Sequence, residues 1–308
     1  TSDVNLTDGA QTITLNAVVQ ELLKGSSGDN VTTLSGKAVS GDVYDGGTGA
    51  DTLKLDGSGD NVIAVQNTET IQGSSKDDEI EIQSPGTGGV TLTTGGGDDK
   101  VTLGEGFTFS SANLSGNDLV VSTNYKDPDV SAAESAAVTV TLKDHATAAF
   151  SAVEFDVDGT SESFVIATGG DASAATENTL VVGTSGTDNL VGSGNNDLLI
   201  GGAGGDTLDG GEGTDSVGYD ASPSGVTVNL ETGTASDGYG STDTLTSIER
   251  AKGSDHDDIL IGSSEKNSFY AEAGADTIVL GAGADYVRLG EDTDADTVVF
   301  TTKDGGAR

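Results

Sequence analysis

The 308-residue chain has no cysteine, no methionine and no tryptophan, only 3 prolines and 4% aromatic residues. The absence of cysteine excludes a disulfide framework and a thiolate zinc site, and it suits a secreted protein that dispenses with oxidative staples. The scarcity of aromatics argues against a large conventional core. No apolar run is long enough to cross a bilayer and no signal-peptide core is evident, so membrane insertion is not expected. The chain opens at Thr1 without an initiator methionine and is expected to be a processed piece of something longer. Cations are equally scarce: 13 Lys and Arg face 51 Asp and Glu, a formal net charge of -38. That balance excludes nucleic acid as a natural partner, because phosphate binding needs a basic face. It also makes the compact state repel itself, which points to a divalent metal as the missing counter-charge. The catalytic patterns HExxH, GxSxG, Walker A and GxGxxG are absent. The only histidines, His145 and His256, pair with no nucleophile and are expected at the surface, so the chain is not expected to be an enzyme.

What the chain has in excess is glycine, 47 residues, roughly twice the usual share, and the glycine is periodic. "GTSGTDNLV", "GSGNNDLLI", "GGAGGDTLD" and "GGEGTDSVG" run from 183 to 218 in one nine-residue register. They place Asp188, Asp197, Asp206 and Asp215 at equal intervals, with Leu190, Leu199, Leu208 and Val217 two residues after each. A second array over 253–289 carries Asp258, Asn267, Asp276 and Asp285 in the sixth position, and one more degenerate turn is expected at Asp296. The first third repeats the idea more faintly. "GGTGADTLK" is a full unit with Asp51, counting onward by nine gives Asp60, Glu69 and Asp78, and Asp99 follows after a phase shift. Glu69 is expected in a strand and not in a metal turn. A longer repeat relates Glu69, Gly73 and Asp78 to Glu249, Gly253 and Asp258.

A glycine tract can turn through positive φ and let carbonyl oxygens face inward. The residues after it suffice for one short strand, so loop, strand, loop, strand makes one coil from eighteen residues. Coils stack in parallel at about 4.8 Å, with Asp188 over Asp206 and Asp197 over Asp215. Carboxylates that close repel by roughly 4 kcal/mol at an effective dielectric of about 20. Calcium, taking six to eight oxygens, turns that repulsion into attraction, while magnesium demands stricter geometry and keeps its waters. The inward aliphatic file is too thin to hold the coil alone, so metal binding is expected to be coupled to folding. A flexible acidic linker is the competing reading of 183–218, but linkers do not keep an aliphatic residue in phase. At Asp60, Asp78 and Asp99 a metal-free solenoid turn fits as well as a calcium turn, and at Asn267, which lacks the charge, it competes more strongly than in the first array.

"GGAGGDTLD" and "GGEGTDSVG" resemble the calcium-binding nonapeptide of the RTX (repeats-in-toxin) family. The resemblance is specific over 183–218, good over 253–289 and 46–54, and partial elsewhere. It implies one-step type I secretion from a Gram-negative bacterium and folding on calcium outside the cell. It also implies that Asp188, Asp197, Asp206, Asp215, Asp258, Asp276 and Asp285 are side-chain ligands of several calcium ions. Gly202, Gly204, Gly211 and Gly213 would be carbonyl donors. Asp51, Asp60, Asp78 and Asp99 are candidate ligands of the fainter array.

The expected fold is all-β: calcium-binding parallel β-roll or β-solenoid arrays with an intervening antiparallel β-strand module. Segments are drawn at 1–40, with a helix over about 17–24 ended by Gly25; at 41–103, a degenerate repeat module; and at 104–175, a strand module with a loop or short helix over 130–137. The last, 176–308, holds arrays 183–218 and 253–289 joined by 219–252. The expected function is a calcium-dependent extracellular structural protein, a surface-layer or adhesin fragment whose partners are calcium, itself as lattice or filament, and cell-surface polysaccharide. The alternatives are the accessory region of a secreted protease, lipase or epimerase, and a carbohydrate- or ice-binding module. Regular outward threonine rows would support the last and are not evident in the sequence.

Overall fold

The structure, a computed structural model, describes residues 2–14, 20–56, 59–93, 95, 99–104, 107–115, 118–125, 136–143, 150–157, 160–167, 170–290 and 292–300. Among these residues the regular structure is entirely β, in short strands. The expected helix over 17–24 is overturned where it can be seen: Glu21–Lys24 is a strand, and 17–19 lie outside the described residues. Leu22 and Leu23 suit either form locally, but Leu23 is buried and pairs in parallel with Val4 and Tyr44, so tertiary packing decides. Most of 130–137 also lies outside the described residues.

Contacts divide the chain into two compact units, 1–110 with 115–166, and 111–114 with 167–308. In the first unit, alternate strands build two parallel sheets. One runs through Glu21–Lys24, Asp42–Asp45, Asn61–Gln66, Asp78–Ile82 and Asp99–Leu103. The other runs through Gly9–Thr14, Asn30–Ser35, Thr52–Leu55, Thr70–Gln72 and Val90–Thr93. This is a solenoid, and its strands alternate buried and half-buried residues as a one-sided sheet must. Leu53, Ile71, Leu92 and Leu142 stack as one inward file, and Leu23, Tyr44, Val65, Ile82 and Leu103 as another. On the outer side Thr52, Thr70, Thr91 and Thr141 align in one file, an outward threonine row that the linear sequence hides. Two antiparallel pairs follow, Asp118–Tyr125 with Ala136–Lys143 and Phe150–Val157 with Thr160–Ala167. Their strands Ala136–Lys143 and Phe150–Val157 continue the two solenoid sheets in parallel.

The second unit is again two-sided. Val181, Leu199, Val217, Ala251, Phe269 and Val287 are in register along one sheet. On the other, Leu190, Leu208 and Leu245 are in register, as are Val228, Leu260, Ile278 and Val298. These side chains make one core. Between the two arrays the chain inserts a meander: Thr242–Thr246 lies parallel to Thr207–Asp209, Thr227–Asn229 lies parallel to Ile259–Ile261, and Thr234–Ser236 runs antiparallel between them. One sheet therefore gains strands where the other passes directly from Ser216–Gly218 to Arg250–Lys252. No described helix is long and apolar enough to cross a membrane.

Candidate metal-binding turns

Each coil passes from sheet to sheet through a glycine-rich turn that ends on a buried carboxylate or amide. In the second unit these are Asp197, Asp206, Asp215, Asp243, Asp258, Asn267 and Asp276, none more than 1% exposed. In the first they are Asn30, Asp42, Asp51, Asn61, Asp78 and Asp99. They form ladders, because a carboxylate oxygen of one coil accepts the backbone N–H of the equivalent residue one coil earlier. Asp206 accepts from Asp188 (2.9 Å), Asp215 from Asp197 (2.8 Å), Asp276 from Asp258 (2.8 Å) and Asp285 from Asn267 (2.9 Å), each a step of 18 residues. In the first unit Asp51 accepts from Asn30 (2.8 Å) and Asp99 from Asp78 (2.9 Å), steps of 21.

A buried carboxylate is costly unless both oxygens are bonded. The second oxygen, Oδ2, of Asp51, Asp206, Asp215 and Asp276 is buried without a hydrogen-bond partner. Burial is the largest influence on each of these carboxyls. It pushes Asp206 up to about 6 and Asp215 and Asp276 up to about 7, with neighbouring carboxylates adding to the rise. Burial also raises Asp51, Asp197, Asp243 and Asp258. The ladders thus concentrate negative charge and leave oxygens aimed at nothing.

Backbone oxygens surround them. Gly202, Gly204, Gly211 and Gly213 all have positive φ, and a Cβ on them would collide with the carbonyl groups of Thr184, Gly186, Ser193 and Asn195 in the preceding coil. One turn shows what such an oxygen-lined corner accepts. The amide nitrogen of Asn30 donates at once to the carbonyl oxygens of Gly28 (2.7 Å) and Gly46 (3.1 Å) and to Asp51 Oδ1 (2.8 Å). An aspartate in that place has acceptors and no donor, so a cation fits the same corner. Among the described residues no three His, Cys, Asp or Glu side chains converge on a point. Carboxylates alone therefore do not complete a site. A hard cation with six to eight oxygen ligands needs the carbonyls as well, which is the chemistry of calcium.

The sequence candidates distribute as follows. Asp51, Asp78, Asp99, Asp197, Asp206, Asp215, Asp258 and Asp276 sit buried in the ladders. Asp188 and Asp285 are half-buried near the ladder ends, and Asp60 is exposed while Asn61 occupies the ladder position beside it. Asn61 donates to Asp78 Oδ1 (2.7 Å). Glu69, expected in a strand, lies in the bend before Thr70–Gln72, and its Oε2 accepts the Asp51 N–H (2.6 Å). Glu249 does the same for Asp215 (2.9 Å). The longer repeat that pairs Glu69 with Glu249 is the signal by which both could have been placed. Asp296 accepts the Asp276 N–H (3.0 Å) at a step of 20. Asn30, Asp42 and Asp243 were not singled out in the sequence. Asp243 accepts the Asp206 N–H (2.9 Å) across a step of 37, one residue out of the nine-residue phase.

The family model of the RTX calcium-binding nonapeptide repeat (4 copies) matches residues 182–217 and 252–287. Both blocks lie in the second unit and contain its ladder residues Asp188 to Asp215 and Asp258 to Asp285. No curated protein matches the chain.

Proposed function

The chain carries RTX calcium-binding nonapeptide repeats in two blocks, and on that footing we propose that it is a calcium-dependent extracellular structural protein. It binds several calcium ions along its turns, folds and stiffens on them outside the cell, and serves as a scaffold of a surface layer or adhesin, not as a catalyst. The observation that carries this reading is the row of buried, unpartnered carboxylate oxygens at Asp51, Asp206, Asp215 and Asp276, repeated along two solenoid units. A chain with a formal charge of -38 and a thin core has little else to hold such turns together. The residues among which the ions' side-chain ligands would lie are Asp51, Asp188, Asp197, Asp206, Asp215, Asp258, Asp276 and Asp285, with the carbonyls of the stacked turns. Bound calcium supplies the positive charge that neighbouring coils lack, so the coil spacing becomes rigid.

The outward file Thr52, Thr70, Thr91 and Thr141 favours a second reading, contact with a regular polar surface such as polysaccharide or ice. Its hydroxyl-bearing side chains repeat at about the strand spacing of 4.8 Å. Light scattering of the full chain during calcium addition, with magnesium as control, tests the scaffold role. Growth into large ordered particles supports it. Calcium-induced folding without growth shifts the role to an accessory region of a secreted enzyme.

A further inference from the structure

Nine of the ladder turns fall into two classes, divided by the residue four positions before the ladder side chain. In one class that residue is Ser or Thr. The Thr184 N–H and hydroxyl both donate to Asp188 Oδ2 (2.7 and 2.9 Å). Ser193 donates to Asp197 from its N–H (2.6 Å) and its hydroxyl (3.0 Å). Ser254 does so to Asp258 (2.6 and 2.8 Å), Ser74 to Asp78 (2.6 and 3.1 Å) and Ser263 to Asn267 (2.7 and 3.1 Å). Each hydroxyl also accepts the N–H two residues on, at 3.1 to 3.2 Å. The turn is closed on itself.

In the other class the residue is left-handed: Gly47 (φ 92°), Gly202 (φ 88°), Gly211 (φ 94°) and Glu272 (φ 67°). These precede Asp51, Asp206, Asp215 and Asp276, each with an Oδ2 that has no hydrogen-bond partner; Gly95 (φ 98°) precedes Asp99 in the same way, but residues 96–98 of that turn lie outside the described residues. No Ser or Thr of the first class has positive φ. The physical link is the peptide orientation. A left-handed residue turns its N–H away from the carboxylate, and in two cases the new acceptor is visible: Gly47 donates to Asp45 Oδ1 (3.1 Å) and Gly211 to Asp209 Oδ1 (3.2 Å). Left-handed φ is strained for any residue but glycine, yet Glu272 adopts it, so the position demands the conformation and not merely the glycine. The classes alternate along each stack, Thr184 below Gly202, Ser193 below Gly211 and Ser254 below Glu272, as the 18-residue hydrogen bonds dictate. The Asp285 turn, whose Gly281 is not left-handed, belongs to neither class. Asp243 is closed a third way, by the Tyr219 hydroxyl on its Oδ2 (2.9 Å).

We infer that the backbone at this position selects which turns take calcium: left-handed turns headed by Gly47, Gly202, Gly211 and Glu272 hold an ion, and hydroxyl turns headed by Ser74, Thr184, Ser193, Ser254 and Ser263 close without one. The inference rests on the calcium reading above and refines it to alternate coils. A hydroxyl turn supplies, free of metal, a shaped floor for the left-handed turn stacked on it.

The test is native mass spectrometry of the full chain with calcium alone, counting bound ions, with circular dichroism to verify folding. Glu272→Ser tests loss without adding a side chain where none is tolerated, and Glu272→Gly keeps the left-handed class while removing the carboxylate. Glu272→Ser is expected to bind one ion fewer, Glu272→Gly the same number as the parent, and Ser193→Gly one more. Should Ser193→Gly fail to fold, the Glu272 pair decides. Equal counts in Glu272→Ser, Glu272→Gly and a calcium-binding parent overturn the inference and leave the calcium reading standing. A parent that binds no calcium overturns both.

Discussion

Asp215→Asn should stabilise the chain without calcium and destabilise it with calcium. Asp215 Oδ1 accepts the Asp197 N–H at 2.8 Å while Oδ2 is buried without a partner. Asparagine keeps the first interaction and removes the charge. The chain already tolerates that exchange at Asn267, whose Oδ1 accepts from Ser263 and whose N–H reaches Asp285. Burial holds the Asp215 carboxyl at about 7 against an ordinary 3.8. At about 1.4 kcal/mol per tenfold change that is at most about 4 kcal/mol against the ionised metal-free turn. Solvent screening in a turn near the surface brings it to about 2 kcal/mol. With calcium at a hundred times its dissociation constant, one lost site removes about 2.7 kcal/mol of linked stability. Urea denaturation at pH 8, in saturating calcium and in chelator with an excluded osmolyte that populates the metal-free fold, followed by circular dichroism, reads both numbers. A change of the same sign in the two conditions would refute the reasoning.

The acidity of the ladders gives a second expectation. Asp206, Asp215 and Asp276 have folded-state values of about 6 to 7, above the 3.8 of the ordinary group. Between about pH 4 and 7 the metal-free fold therefore holds more protons than the unfolded chain, and its stability falls as pH rises. Calcium needs the ionised groups, so its affinity rises over the same window; melting curves with calcium and, in the same osmolyte, without it should diverge from pH 5 to 8, and parallel curves would contradict the ladder chemistry. A third expectation concerns the two strands that flank the meander, Ser216–Gly218 and Arg250–Lys252. The Lys252 ammonium lies 2.9 Å from Asp220 Oδ1, and burial outweighs it to hold that carboxyl up at about 6. Lys252→Ala should cost about 3 kcal/mol at pH 8, in calcium and in chelator with the same osmolyte alike, by urea denaturation. A loss seen only in calcium would mean that the pair serves a metal site.

The second unit was legible because its coils step by 18 residues, twice the nonapeptide, so Asp188 and Asp206 or Asp258 and Asp276 declare their stacking in one register. The first unit hides because Asn30 to Asp51 and Asp78 to Asp99 step by 21. Counting by nines then lands on exposed Asp60 instead of buried Asn61. Unequal steps of 18, 21 and 50 residues conceal the threonine file. Asp243 was missed because the meander shifts it one residue out of phase. The strand Glu21–Lys24 is not legible in the sequence because four residues carry too little periodicity to tell a buried strand from a helical turn. The division of the turns is partly written in the sequence as Ser or Thr against Gly at the second position, but Glu272 and Gly281 break that rule. It acquires meaning only when the peptide orientation and the state of Oδ2 are seen together.

The most direct test of the central claim is far-UV circular dichroism of the full chain titrated with calcium, with magnesium in parallel. The account predicts a cooperative transition from coil to β structure in calcium, complete at millimolar concentration or below, and none in magnesium at equal concentration. A chain that is fully β in chelator and unmoved by calcium would contradict it.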